Sequence, residues 1–400
     1  MNILMLTPYL PYPLHSGGQI RTYNLLKKLS HKHKITLCAL IKDEKEKEYI
    51  PMLSEFCDVK VFKRSASPFT LKNIFNTAVS SYPFLVMRNH VKELKEYLTK
   101  ELQNPTAYDL IHAETFYMMP HLPKTTIPVL LAEQTIEYLG YESYAAKAFP
   151  LLRPLLHIDI AKLRRWEHFF WNDCQQLIVM SEEDKRFVQE HVSNKEKVDV
   201  VANGVDSAWF AQRKRNEAKN PTVLFVGTFR WLPNVEAVEF LAKKVWPIVI
   251  KALPSARLNI VGAHPGDRIL DLQREDSITV IGNIPDIRDA FTTAHVLAAP
   301  VFSGKGTRYK ILEGLASGTP VLATSTAVEG LSIKPGVQAL VEDDAQSFAS
   351  TLINLLQSKE LQDTLRKNGV SFVKHNFDWQ NIAQELDEIY YRMGKQHEKA

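Results

Sequence analysis

The run GKGTRYKILEGLASGTP, residues 304–320, concentrates the residue types that could bind and activate a phosphorylated substrate. Gly304 and Gly306 leave the backbone room to approach a ligand. Thr307 is placed to cap a helix starting there, whose free N–H groups and positive dipole end suit a diphosphate. Arg308 and Lys310 add charge that would neutralise a phosphate leaving group. Glu313, one turn on, can accept hydrogen bonds from two vicinal hydroxyls such as a ribose presents. The competing reading makes Lys310 and Glu313 a surface pair at i,i+3, but so many coinciding elements favour the ligand.

Three other motifs follow predicted strands. His15-Ser16-Gly17-Gly18-Gln19 pairs two glycines with a helix start, which lets the backbone pass close to an anion. It is no GxGxxG fingerprint, it carries no Walker lysine, and an ordinary strand-to-helix turn explains it equally well. Asn203-Gly204-Val205-Asp206 contains a turn dipeptide. In Gly227-Thr228-Phe229-Arg230, the glycine admits a phosphate or sugar, and Arg230 either pairs with its charge or is solvated. Glu342-Asp343-Asp344 reads as a solvated, helix-capping turn, so a metal site is not expected.

Elements able to position these motifs alternate along the chain. Strands are predicted over 3–7, 35–40, 59–62, 110–113, 128–132, 176–180 and 198–201, with helices over 18–30, 91–103, 155–172 and 182–191. Ser181 is expected to cap the last of these. The alternation restarts with strands over 222–226, 257–261, 278–281, 296–299, 320–324 and 339–341, and helices over 235–249, 287–293 and 309–317. Helices over 345–357, 359–374 and 379–393 close the chain. Such alternation implies parallel sheets covered by helices, hence two doubly wound α/β domains facing across a cleft. The polar stretch QRKRNEAKN (212–220) is the expected boundary. Domains are therefore expected over 1–211 and 212–378, with a final helix over 379–400 packing back on the first.

Four hundred residues suit two or three domains, and 45% hydrophobic with 24% charged residues is a globular composition. A net charge of +4 spread along the chain gives no reason to expect nucleic acid as a partner. Cys38, Cys57 and Cys174 lack metal or disulfide spacing and point to a reducing compartment. No apolar run reaches membrane-spanning length, and the proline-interrupted start does not read as a signal peptide, so a cytoplasmic location is expected. The segment 151–171 mixes Leu, Phe and Trp with Arg153, Lys162, Arg164 and Arg165. It reads as a core-facing helix with a basic outer stripe; the competing reading lays it peripherally on the inner membrane face.

Taken in order, these motifs resemble the retaining glycosyltransferases of family 4, which have the GT-B fold. The resemblance rests on Gly17-Gly18, Asn203-Gly204-Val205-Asp206, Val226-Gly227, Val261-Gly262, Gly282-Asn283, GTRYKILEGLASGTPVLAT and Glu329-Gly330-Leu331. It covers nearly the whole chain, is dense from 222 to 331, and is closest to the branch carrying G-x-G-T-R-x-K-x-L-E. It implies a nucleotide-diphosphate sugar as donor substrate, bound by the second domain, and a glycan, lipid-linked or small-molecule acceptor bound by the first. No cofactor and no metal are implied, and the setting is cell-surface polysaccharide or glycolipid synthesis.

By position, Glu313 would hold the ribose, backbone at Asn283 and Ile284 the base, and Arg308 and Lys310 the diphosphate. Gly17 and Gly18 would lie against phosphates or donor sugar, with Gly227, Arg230, Gly304, Gly306 and Thr307 completing the donor site. The family's D-x-x-H-x-H pattern falls on Asp109, His112 and Glu114, making His112 and its rival Glu114 candidate catalytic groups. Lys305 stands where the family's E-x7-E motif has its first carboxylate, and Thr228 and Pro233 replace a usual Arg and Lys. Two rivals share the architecture: a sugar-nucleotide epimerase, and a catalytically degenerate nucleotide-sugar-binding scaffold.

Overall fold

A computed structural model describes residues 1–67, 69–304 and 309–397. The chain forms two compact units, one from Met1–Asn203 with the chain from Ile382 onward, the other Gly204–Asn381. The break falls at Asn203–Gly204 and not within 212–220. That polar stretch belongs to the second unit because its charges are used there: Arg215 donates to the carbonyl and hydroxyl oxygens of Gly318 and Thr319, both at 3.1 Å, and Glu217 pairs with Arg366 at 2.6 Å. A lack of apolar periodicity marked a docked segment, not a free linker.

Among the described residues the first unit holds seven strands: β1 (Asn2–Thr7), β2 (Lys34–Ile41), β3 (Asp58–Lys63), β4 (Leu110–Glu114), β5 (Val129–Glu133), β6 (Gln176–Val179) and β7 (Val198–Val200). All pairings are parallel, in the order β3-β2-β1-β4-β5-β6-β7. The second unit holds β8 (Thr222–Val226), β9 (Arg257–Val261), β10 (Ile278–Ile281), β11 (Val296–Ala299), β12 (Val321–Ala323) and β13 (Leu340–Val341), ordered β10-β9-β8-β11-β12-β13 and also parallel. Near-continuous Val, Ile and Leu runs allow these strands to be buried on both faces under crossover helices. Each sheet reverses direction beside its first strand, at β1/β4 and at β8/β11, and carboxyl ends at such points are where open α/β sheets bind ligands.

Large apolar side chains anchor both cores, and burying each such side chain is worth roughly 1.5–3 kcal/mol. Trp171 and Trp246 are buried with their indole N–H groups satisfied, by Glu133 at 3.0 Å and Ser277 at 2.9 Å. The helix expected over 235–249 is interrupted: α-helix Leu232–Phe240 passes through a π-turn at Leu241–Val245 into Trp246–Ala252. Pro247 follows immediately, and a widened turn accommodates its ring and missing N–H. The helix Gly17–Leu29 buries Arg21, Thr22, Leu25, Leu26 and Leu29, so its inward face includes a charge.

The last helix, Trp379–His397, begins in the second unit and from Ile382 belongs to the first. There Asp387 bonds Lys32 at 2.5 Å and His33 at 2.7 Å. The helix Arg153–Asp173 is core-facing only beyond its first two turns: Ile160, Leu163, Phe170 and Trp171 are buried, whereas Leu155 and Ile158 are exposed. No helix among the described residues is long and apolar enough to cross a membrane.

Candidate active site

In the first unit, β4 carries His112 and Glu114 two residues apart, hence on one face of the sheet, and both are fully buried. His112 Nδ1 lies 2.5 Å from the Tyr390 hydroxyl, and its Nε2 is 3.4 Å from Glu114 Oε1. Gln134, one residue beyond β5, donates to Glu114 Oε2 at 2.6 Å and to the Tyr9 hydroxyl at 2.8 Å. Arg21 reaches the same carboxylate from below, its Nε 3.9 Å from Glu114 Oε1, while Nη1 donates to Ala202 O at 2.8 Å. Burial works to raise the Glu114 carboxyl, but His112, Arg21 and Gln134 together hold it below the usual range. Burial pushes the Tyr9 and Tyr390 hydroxyls up.

Gly17 opens the helix after the Ser16 cap, which accepts from Gln19 N. A Cβ on Gly18 would stand 2.5 Å from the Tyr9 hydroxyl and 2.8 Å from Gln134 Oε1. Gly18 therefore lets the helix start close onto the Glu114 network. His112 sits inside β4, its ring bonded to the Tyr390 hydroxyl and 3.4 Å from Glu114 Oε1. Sequence reading missed Arg21, Tyr9, Gln134 and Tyr390. The one available signal was Arg21 itself, a charge within the apolar stripe of its helix.

In the second unit the strand ends are pressed together backbone to backbone. Gly227 N donates to Val261 O at 3.0 Å, and Gly262 N to Ile281 O at 2.9 Å. A Cβ on Gly262 would fall 1.6 Å from the Gly227 carbonyl oxygen, and one on Gly227 2.8 Å from the Asn234 amide. Buried Asn234 donates to Thr228 O at 2.9 Å and accepts from Lys310 Nζ at 2.7 Å. The Lys310 ammonium also sits 4.4 Å from the centre of the Phe225 ring. Lys310 is thus buried, which removes the reading of a solvated Lys310–Glu313 surface pair.

Glu313 is half-buried on the helix Tyr309–Ala316, and burial pushes its carboxyl up to about 7 against the pull of Lys310. Gly304 follows β11 with φ +91°. Arg230 is exposed after β8, Asn283 is exposed and Ile284 half-buried after β10. Lys305, Gly306, Thr307 and Arg308 lie outside the described residues. Asp344 caps the helix Ala345–Gln357, and among the described residues no group of three His, Cys, Asp or Glu side chains could hold a metal.

Two family models match the chain: Glycosyltransferase Family 4 over residues 15–209 and Glycosyl transferases group 1 over residues 220–358. The chain belongs to the glycosyltransferases, with a family 4 domain followed by a group 1 domain. A 44.6 kDa uncharacterized protein in the cps region of Klebsiella pneumoniae is 21% identical, over 96% of this chain and 98% of that one. A phosphatidyl-myo-inositol mannosyltransferase of Mycolicibacterium smegmatis is 25% identical over 48% of this glycosyltransferase and 50% of its own length. Among solved structures, sucrose-phosphate synthase of Thermosynechococcus elongatus superposes with TM-score 0.70 at 19% identity, covering 98% and 99% of the chains. Anabaena HepE, solved in complex with UDP-glucose, superposes with TM-score 0.64 at 17% identity over 98% and 100%. The fold is thus the GT-B arrangement of two parallel-sheet α/β domains.

Proposed function

We propose that this glycosyltransferase moves a sugar, with retention and without a metal, from a nucleotide-diphosphate sugar to a hydroxyl of a glycan or lipid-linked acceptor in cell-surface polysaccharide or glycolipid synthesis. The observation that carries the reading is Glu313. A carboxylate half-buried at the helix that follows β11, beside the reversal point of the second sheet, stands where a ribose would need an acceptor of hydrogen bonds. On this reading the backbone at Gly227 and Gly304 approaches the donor, Asn283 and Ile284 take the base, and Arg230 supplies charge to the diphosphate; the Arg308 assigned to it by motif lies outside the described residues. Lys310 contributes as a positioned charge held by Asn234. In the first unit Glu114, with His112 beside it, holds Gln134 and through it Tyr9, against which Gly18 lets the helix start at Gly17 close. The acceptor hydroxyl attacks the face the nucleotide leaves, and the departing diphosphate takes its proton. The likeness to a protein in the cps region of Klebsiella pneumoniae and to HepE, which was solved in complex with UDP-glucose, supports this assignment.

Calorimetric titration with nucleotide-diphosphate sugars tests it. Glu313→Gln is expected to weaken nucleotide binding by about 1.5–3 kcal/mol, the range for a hydrogen bond to a charged group, or roughly ten- to a hundredfold in Kd. Because burial pushes the wild-type carboxyl up to about 7, wild-type affinity should fall as pH drops through that region, and the variant should lose this dependence. Equal affinity and equal pH profiles in the two proteins would remove Glu313 from the site. Anomeric configuration read by NMR on the product, and activity in excess EDTA, test retention and metal independence.

One surface supports peripheral membrane contact. The helix Leu71–Val79 exposes Leu71, Ile74, Phe75 and Val79, and Leu151, Leu155 and Ile158 are exposed on the segment that Lys162 ties to it through Thr77 O and Ser80 O, at 2.7 and 2.8 Å. Exposed Arg153 and Arg165 accompany them, the combination an anionic interface attracts. Sedimentation with anionic liposomes is expected to carry down the wild type, and Phe75→Ser/Leu155→Ser much less; equal sedimentation would dismiss this surface.

A further inference from the structure

Two adjoining cavities, of about 250 and 350 Å³, lie in the first unit at the carboxyl ends of its early strands. Arg64 and Arg88 line both. Arg64 directly follows β3 and is fixed by its N–H to Ile41 O at 2.9 Å. Arg88 sits in the last turn of the helix Phe84–Asn89, held by buried Leu85, Val86 and Asn89. The Nε atoms of both guanidiniums are buried without a hydrogen-bond partner, and neither side chain joins an ion pair among the described residues. Burial first, and then Arg88, pull Arg64 below its ordinary pKa.

The surrounding charges do not relieve this. Lys42 adds positive charge to the lining, which also includes Lys63 and Lys92, paired with Glu44 at 3.5 Å and Glu96 at 3.1 Å. Glu46 is occupied: its Oε1 already accepts the N–H groups of Lys42 and Asp43, at 2.7 and 2.9 Å. Glu93 lines the larger cavity and forms no ion pair with either arginine among the described residues. Glu46 acts on Arg64 and Glu137 on Arg88, but neither carboxylate reaches ion-pair distance among the described residues. Two guanidiniums partly withdrawn from water and acting on each other oppose folding, and an oxyanion held in their planar forks would reverse the sign. Ser16, at the amino end of the helix Gly17–Leu29, forms part of the same wall and adds its positive dipole end.

We infer that the Arg64–Arg88 cavity binds an oxyanionic group, phosphate or carboxylate, carried by the acceptor. Assigning the anion to the acceptor rests on the reading above, in which the nucleotide of the donor belongs to the second unit. The acceptor is thereby narrowed from any hydroxyl compound to a phosphorylated or acidic one.

The test is calorimetric titration of the purified full chain with glycerol phosphate, glucuronate and UDP, in wild type, Arg64→Gln/Arg88→Gln and Arg88→Lys. Saturable binding of glycerol phosphate or glucuronate to the wild type is expected, weakened about tenfold or more in the double variant and less in Arg88→Lys, with UDP affinity unchanged throughout. Whichever of the two anions binds identifies phosphate or carboxylate. The ligand-free double variant should melt no lower than the wild type, because it removes a like-charge pair. The anion should raise the melting temperature of the wild type alone. Failure of both anions to bind, equal binding to the double variant, or a double variant that melts well below wild type would overturn the inference. If the anion depends on the arginines while UDP binds nowhere, the site stands and the donor assignment falls.

Discussion

Replacing Gly262 by alanine is expected to destabilise the second unit by about 3 kcal/mol, the upper range for overpacking, and to abolish nucleotide binding. The added Cβ would lie 1.6 Å from the Gly227 carbonyl oxygen, which is backbone and has no rotamer to escape into. The carboxyl ends of β8 and β9 must separate, and the bonds Gly227 N to Val261 O and Gly262 N to Ile281 O are the ones at risk. Gly227 in turn rests on Asn234, whose amide holds Lys310, so the displacement passes directly to the helix bearing Glu313. Gly140→Ala is the control: it lies within the helix Glu137–Lys147, nothing approaches its Cβ position within 4 Å, and it should gain up to about 1 kcal/mol from helix propensity. Urea unfolding and UDP titration of the two variants decide the matter. A Gly262→Ala protein with wild-type midpoint and affinity would refute the close packing on which the proposed donor site rests.

The same contact indicates what a reader of the sequence can and cannot recover. Val226-Gly227 and Val261-Gly262 are legible as strand ends because a β-branched run stops at a glycine, and β8, β9, β10 and β11 fall where their apolar runs predict. That the two glycines touch is a fact of sheet order, which no local pattern carries. The helix Leu71–Val79 escaped detection because its large apolar residues point outward, so no inward stripe announces a core-facing element. Its neighbour Phe84–Asn89 is six residues long, too short for a period to register. Lys310 was assigned by its place in a motif; its bond to Asn234 joins residues 76 positions apart and was invisible. His112 was found from its pattern, but the Tyr390 hydroxyl that fixes its ring lies 278 positions away on the final helix. Types and spacings thus pointed to the family and to the helix proposed for the donor, whereas the long-range polar bonds that set each side chain's environment required the fold.

Removing Arg21 is the second change with a large expected effect. The guanidinium is fully buried and is the permanent positive charge nearest the buried Glu114 carboxylate, so Arg21→Met should cost about 3–5 kcal/mol, the range for leaving a buried charge without its partner. Part of that cost is conformational, since Arg21 Nη1 also ties the helix Gly17–Leu29 to Ala202 O and the Asn203 amide oxygen. The companion Arg21→Met/Glu114→Gln removes both charges and should recover a substantial share, giving a coupling of about 1–3 kcal/mol in a double-mutant cycle. The pH dependence has a definite sign. In the wild type the Glu114 carboxyl is held below its usual range, so its contribution is present above the unfolded pKa and is lost as pH falls through the folded one. Without Arg21, burial acts with less opposition and raises that carboxyl. The variant should therefore be most deficient near neutral pH and approach the wild type on acidification toward the carboxylate range. Urea midpoints measured across that interval test this. A deficit independent of pH and undiminished in the double variant would mean that Arg21 serves only as a tether to residues 202–203, and that Glu114 draws its charge from His112 and Gln134 alone.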